Sequence, residues 1–287
     1  MIHELQNNPN LTGQVRLIEN ITYAAVAGRP LKMQILVPWT QRYPKQYHTD
    51  PRPLIVFVQG SSWRTGKMGE EIPQLVQFVK HGYVVVTVQH RSAVDGFAFP
   101  AFLKDVKTAI RFLRHKAAKY AIDPHRVAIW GTSSGANAAM LVGLTGDDPR
   151  YRTHLYAHES DRVDAVVSCF APMDVADTFE ASAKIPGNKL LQLCLFGPNT
   201  AKWPELKATM SPLDVAKPGQ DYPPFLLLHG DADQVVPYHQ MVDMYDKLDQ
   251  DGYDVTAYRV KGANHERDFW SQPVYDVIRD FIDQKVK

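Results

Sequence analysis

The chain is 287 residues long, 45% apolar and 22% charged, and its 32 Lys plus Arg against 31 Asp plus Glu leave a formal net charge of +1. These proportions exclude a disordered or fibrous chain, and the cancelled charge gives no general electrostatic reason to expect nucleic acid or an anionic membrane surface as a partner. The length suffices to bury a large core, and the chain is read as one domain, residues 1–287, with a cap-like insertion at about 174–213.

Taken in chain order, Met1-Ile2-His3-Glu4-Leu5-Gln6-Asn7-Asn8 has neither the basic start nor the apolar core of a secretory signal, and no later apolar run approaches the length of a bilayer span. The expected location is the cytoplasm, with no membrane partner. Val15-Arg16-Leu17-Ile18 and Leu31-Lys32-Met33-Gln34-Ile35-Leu36-Val37 alternate or run apolar, with the turn signal Ala27-Gly28-Arg29-Pro30 before the second. They read as an antiparallel pair at a sheet edge. Leu54-Ile55-Val56-Phe57-Val58 and Tyr83-Val84-Val85-Val86-Thr87-Val88 are β-branched without alternation, which means burial on both faces and a central parallel sheet. Ile72, Leu75, Val76 and Val79 form a helical stripe, and Phe102, Val106, Ala109, Ile110 and Leu113 form a longer one before Asp123-Pro124 breaks the chain. Further strands follow at 127–130, 163–170, 225–228 and 255–260, with a helix from Tyr238 to Leu248. The stretch at about 174–213 breaks this rhythm, because Pro186, Gly187, Gly197, Pro198, Pro204 and Pro212 interrupt short helical pieces. An insertion there sits above the strand ends, where α/β sheets place their sites. Cys169 and Cys194 are too few for a disulfide scaffold or a cysteine zinc site, and both are expected as buried free thiols.

The chemistry centres on Gly131-Thr132-Ser133-Ser134-Gly135, which joins the 127–130 strand to a small-residue helix beginning near Ala136. A serine at such a turn is lifted clear of the sheet, and glycine-sized neighbours let strand and helix pack close around it. A serine hydroxyl becomes a useful nucleophile when an imidazole takes its proton, and that imidazole needs a carboxylate to fix its tautomer. Two later loops supply both groups at strand ends: His229-Gly230-Asp231-Ala232-Asp233 after the 225–228 strand, and Gly262-Ala263-Asn264-His265-Glu266 after the 255–260 strand. The residues alone leave Asp231 and Asp233 both open as the acid. His229 is expected to be structural, and Asp174 to turn its loop. Trp63, Phe97, Phe99 and Met173 stand as candidates for the lining of an acyl or alcohol pocket.

These residues, in the order serine, acid, histidine, resemble the α/β-hydrolase superfamily. Within it they resemble the esterase branch that includes hormone-sensitive-lipase-like and bacterial feruloyl- or acetyl-esterase-like proteins. The likeness runs from about residue 31 to residue 281. It is carried by Phe99-Pro100-Ala101 and the helix through Leu113, by Ile122-Asp123-Pro124-His125-Arg126-Val127, by the turn at Ser133, by His229 to Pro237 as H-G-x-x-D-x-x-V-P, and by the His265 loop. The resemblance implies an α/β-hydrolase fold, a mostly parallel doubly wound sheet of about eight strands with a small cap insertion. It also implies Ser133 as nucleophile, His265 as base and Asp233, rather than Asp231, as acid. Where the branch usually has His-Gly-Gly-Gly-Trp, this chain has Gln59-Gly60-Ser61-Ser62-Trp63, and the oxyanion hole is assigned to the backbone N–H groups of Ser61, Ser62 and Ser134. The implied activity is a serine carboxylesterase that hydrolyses small, short-acyl (acetyl-like) esters through an acyl-enzyme, with no metal or organic cofactor. An arylformamidase- or peptidase-like amide hydrolase and a non-catalytic binding protein on the same fold stay open, as does a homo-oligomer.

Overall fold

β-branched runs and a two-residue turn set the sheet, whose residues are described in a computed structural model over 1–39 and 50–287. β1 (Val15–Val26) and β2 (Arg29–Pro38) form an antiparallel hairpin at one sheet edge. Its turn is Ala27 and Gly28, with φ of 49° and 76°, the two left-handed conformations that match a tight hairpin to the strand twist. Arg29 and Pro30, expected within the turn, already belong to β2. There follow β3 (Arg52–Val58), α1 (Ile72–Lys80), β4 (Val84–Val88), α2 (Ala101–His115), the single-turn α3 (Ala117–Tyr120), β5 (Ile122–Thr132), α4 (Ser134–Leu144) and β6 (Ala165–Cys169). The segment expected as a cap holds α5 (Val175–Ala181), α6 (Asn188–Phe196), α7 (Trp203–Met210) and α8 (Pro212–Val215). The chain then returns to the sheet with β7 (Phe225–Gly230), α9 (His239–Gln250), β8 (Val255–Val260) and the C-terminal α10 (Gln272–Val286).

The eight strands lie in the order β1-β2-β4-β3-β5-β6-β7-β8; β2 pairs antiparallel with both neighbours, and every pair from β4 to β8 is parallel. β4, β6 and β7 are buried at every residue, as runs without alternation require, because helices cover both faces. α2, α4 and α9 pack on one face with the helices of the 174–213 segment, and α1 and α10 on the other. Asp123-Pro124, expected to break the chain, lies within β5. α2 stops at His115, Ala121 turns the chain at φ 53°, and residues 123–126 form a bulge within β5, opposite a register shift in β3. A bulge is where a strand tolerates proline, and Asp123 ties it by accepting from the His125 N–H and the Arg126 guanidinium.

The helix α4 starts at the residue after Ser133, which sits at φ 50° and ψ −123°. A Cβ on Gly131 would stand 2.2 Å from the Gly135 carbonyl oxygen, and one on Gly135 would stand 2.0 Å from the Val58 carbonyl oxygen. Both glycines are therefore demanded by close backbone approach, not by φ. Gly135→Ala drives a methyl into backbone that cannot move aside, so we expect it to cost about 3 kcal/mol. Urea denaturation followed by circular dichroism checks this; a midpoint equal to that of the parent chain contradicts it.

Candidate active site

Three loops at the carboxyl ends of β5, β7 and β8 bring Ser133, Asp233 and His265 together. Ser133 is held by its N–H, which donates to the Cys169 carbonyl at the end of β6, and by its carbonyl, which accepts from the Asn137 N–H. Asn264 fastens the other two loops, because its Oδ1 accepts from both the His265 and the Gln234 N–H groups. The Phe170 ring lies edge-on to the His265 ring at 4.7 Å between centroids. With that support, His265 Nε2 is 3.0 Å from Ser133 Oγ, and His265 Nδ1 is 2.8 Å from Asp233 Oδ2. An ionised carboxylate only accepts, so Nδ1 carries the proton, and Nε2 turns its lone pair to the serine hydroxyl.

Asp233 accepts on both oxygens: Oδ1 from the Val235 and Val236 N–H groups at 2.8 and 2.9 Å, and Oδ2 from His265 and His229. Its side chain is fully buried. Burial by itself raises a carboxyl, but the hydrogen bonds from His229 and His265, the His265 charge and the Val236 N–H outweigh it and hold Asp233 well below the usual carboxylate range. Asp231, the alternative left open by the residues alone, faces away. It accepts from the Gly262 N–H at 2.6 Å and lies 3.6 Å from Arg259 Nε.

The Gln59–Trp63 loop departs from expectation at Ser61. Its N–H donates to Ser134 Oγ at 2.9 Å, and the Gly60 N–H is likewise taken by Thr132 Oγ1 at 2.8 Å. Among the described residues, the Ser62 and Ser134 N–H groups have no hydrogen-bond acceptor in the protein. Ser62 and Trp63 both adopt the left-handed region, at φ 51° and 55°, and this turns the chain after Ser61. Gly60 comes so near that a Cβ there would stand 2.9 Å from Ser133 Cβ. The loop is anchored from below by Asn137, a fully buried residue that the sequence reading passes over. Asn137 accepts from Trp63 Nε1 at 3.3 Å and donates to the carbonyls of Pro172 and Met210 at 2.9 and 3.0 Å.

A cavity of about 290 Å³ opens on Ser133 and Ser134, walled by Trp63 and Val236 on one side and by Phe179, Ile185, Pro186 and Leu191 of the 174–213 segment on the other. Trp63 thus lines it, but three of the expected lining residues do not. Phe97 borders a separate hollow beside Arg91; Phe99 packs at a tilt against Phe102 and Tyr151; Met173 is buried, and its N–H donates to Gln240. Each is near a strand end in sequence but faces the core or another edge. Asp174 caps α5 by accepting from the Asp177 N–H. Cys169 is buried as expected, whereas Cys194 is half-buried; both are free thiols. Among the described residues no group of three or more His, Cys, Asp or Glu side chains is placed to hold a metal ion, and no helix is long and apolar enough to cross a membrane.

Known proteins resemble this chain in sequence and in fold. A family model described as BD-FAE matches residues 42–248. Esterase LipC of Mycobacterium tuberculosis is 29% identical over 236 residues, covering 81% of this chain and 56% of LipC. The chain spans about half the length of the curated relatives it matches. Of solved structures, a truncated carbohydrate esterase from gut microbiota superposes with a TM-score of 0.77 at 26% identity, covering 94% of this chain and 96% of the other. A bifunctional GH43-CE protein of Bacteroides eggerthii gives 0.79 at 27%, covering 94% and 38%. Together with the strand order, these similarities bear out the α/β-hydrolase fold and esterase-branch resemblance expected from the motifs.

Two outcomes follow from the geometry. Asn137→Ala strands the buried Pro172 and Met210 carbonyls, so it should lower stability by about 2–4 kcal/mol in chemical denaturation. Because the folded state holds Asp233 below its unfolded value, its ionised form stabilises the fold fully above about pH 4 and progressively less as pH falls below that. The stability gap between the parent chain and Asp233→Asn, measured by urea titration, should therefore narrow on acidification below about pH 4. A gap that widens there contradicts the arrangement.

Proposed function

The chain belongs to the BD-FAE family, and from that membership and the geometry of its site we propose that it is a serine carboxylesterase acting on small, short-acyl esters through an acyl-enzyme. The observation that carries the reading is the unbroken line of hydrogen bonds from Ser133 Oγ through His265 to Asp233, at 3.0 and 2.8 Å. In this reading Ser133 Oγ attacks the ester carbonyl while His265 Nε2 takes its proton. Asp233 holds the Nδ1–H tautomer and stabilises the imidazolium that forms. The carbonyl oxygen gains charge beside the Ser62 and Ser134 N–H groups, which are free to donate and so complete an oxyanion hole, whereas the Ser61 N–H, already given to Ser134 Oγ, supports the loop instead. His265 then returns the proton to the departing alcohol and draws one from water, which cleaves the acyl-serine.

The small cavity supports a short acyl group. Its volume of about 290 Å³ is at the low end for ligand sites, and Phe179, Leu191 and Trp63 are among the side chains that line it. A carbohydrate esterase among the similar structures agrees with an ester carried on a soluble alcohol.

The test is hydrolysis of p-nitrophenyl acetate, butyrate and octanoate by the parent chain and by Ser133→Ala. We expect the octanoate to be at least about tenfold poorer in kcat/KM than the acetate, and Ser133→Ala to abolish turnover of all three. Asp233→Asn should reduce kcat by about 10⁴, since it favours the wrong tautomer of His265, and Asp231→Asn should reduce it far less. No hydrolysis by the parent chain sinks the esterase reading. Equal rates for the parent chain and Ser133→Ala sink the assignment of Ser133.

A further inference from the structure

His229, next to last in β7, is fully buried, yet the reaction as written gives it no task. Its Nε2 lies 3.1 Å from Asp233 Oδ2 and 3.1 Å from the Val236 carbonyl oxygen. Both partners only accept, so Nε2 carries a proton. Nδ1 is buried without a hydrogen-bond partner. A proton there would be a second N–H stranded in a dry place, which is strongly disfavoured. His229 is accordingly a neutral imidazole in the Nε2–H form, with the Tyr238 ring perpendicular to it at 6.0 Å.

We infer that His229 is a positioning residue for Asp233, whose Oδ2 it supplies with a second imidazole N–H beside that of His265. Two backbone donors on Oδ1 and two imidazole donors on Oδ2 occupy the four acceptor positions of the carboxylate. A carboxylate so filled cannot rotate about its Cβ–Cγ bond without breaking several hydrogen bonds. It is also a weak base, so the shared proton stays on His265 Nδ1 and the Nε2 lone pair stays aimed at Ser133. The inference rests on the roles proposed above for Ser133, His265 and Asp233, and adds a residue that acts through Asp233 and never touches substrate.

Removing the His229 donor leaves Asp233 with more unshared negative charge, which favours the imidazolium of His265. The acid limb of the kcat/KM profile therefore moves to higher pH. The other ionisable groups near this site are few. Glu266 follows His265 in the chain, and Glu70 and Glu71 precede α1, where burial first and then the Glu266 and Glu70 charges push Glu71 up to about 7. Asp231 and Asp268 are engaged by the Gly262 and Asn264 N–H groups. All are common to the parent chain and its variants, so a displacement between them reports on His229.

The experiment compares His229→Leu and His229→Gln with the parent chain on p-nitrophenyl acetate across pH. His229→Leu should lose between about tenfold and a hundredfold in kcat at nearly constant KM, with the acid limb displaced upward. His229→Gln, whose amide can donate to Oδ2, should recover most of kcat and return the limb. A lowered Tm with an unmoved limb and no recovery by Gln overturns the inference in favour of plain packing. For the case that both variants fail to fold, nitrogen-15 NMR of the histidine-labelled parent chain reads the tautomers directly and needs no turnover. His229 should be found as the Nε2–H tautomer, with Nδ1 unprotonated. An Nδ1–H form or a cationic His229 overturns the inference even if the chain proves inactive, so its failure is distinguishable from failure of the esterase reading.

Discussion

The abrupt join of β5 to α4 is the constraint on which the rest of the site depends. A strand ends at Thr132 and a helix begins at Ser134, so one residue must make the whole turn, and Ser133 does so at φ 50° and ψ −123°. Such a conformation persists only where its surroundings over-determine it. Here they do: the Ser133 N–H is fixed to β6, its carbonyl begins the α4 ladder, and Gly131 and Gly135 let backbone approach backbone at distances no side chain permits. The same geometry puts the first free N–H of α4, at Ser134, beside the hydroxyl it presents, where the positive end of the helix favours developing negative charge.

Buried polar side chains carry that order outward. Asn137 joins α4 to the Trp63 loop and to the carbonyls of Pro172 and Met210, so the free N–H of Ser62 and the roof of the cavity share one anchor. Gln240 performs a similar task from α9. It accepts from the Met173 and Asp174 N–H groups and donates to Asp177, which ties the start of the 174–213 segment to α9. The segment is thus fastened at both ends, and the cavity that opens on Ser133 is lined by side chains it contributes, such as Phe179 and Leu191.

Much of this was legible in the residues, and the remainder was hidden for identifiable reasons. Strands without alternation betrayed a sheet covered on both faces, and the glycines around Ser133 betrayed the turn, because each is a local demand. Asp233 could not be separated from Asp231 by spacing. The choice depends on the Val235 and Val236 N–H groups closing a turn on Oδ1, which aims Oδ2 at a loop 30 residues further on. The direction of the Ser61 N–H is not legible in the residues, because it is set by Ser134 Oγ, 73 residues away. Phe97, Phe99 and Met173 lie near strand ends, but position along a strand does not say which wall a side chain joins. Val274, Ile278, Phe281 and Ile282 of α10 recur at helical spacing, and with α1 they cover one sheet face. The tie of His229 to Asp233 is not legible in the residues, because its partner lies four residues along a loop whose path only the fold reveals.

The central claim is that Ser133, activated by His265, becomes acylated. Intact-protein and peptide mass spectrometry after exposure to a p-nitrophenyl phosphonate ester tests it most directly, since a phosphonyl-serine forms by the same attack and is not readily hydrolysed. The account predicts a single adduct on Ser133 in the parent chain and none over the same period in His265→Ala. An adduct on another residue, or ester hydrolysis that persists with Ser133 fully blocked, would contradict it.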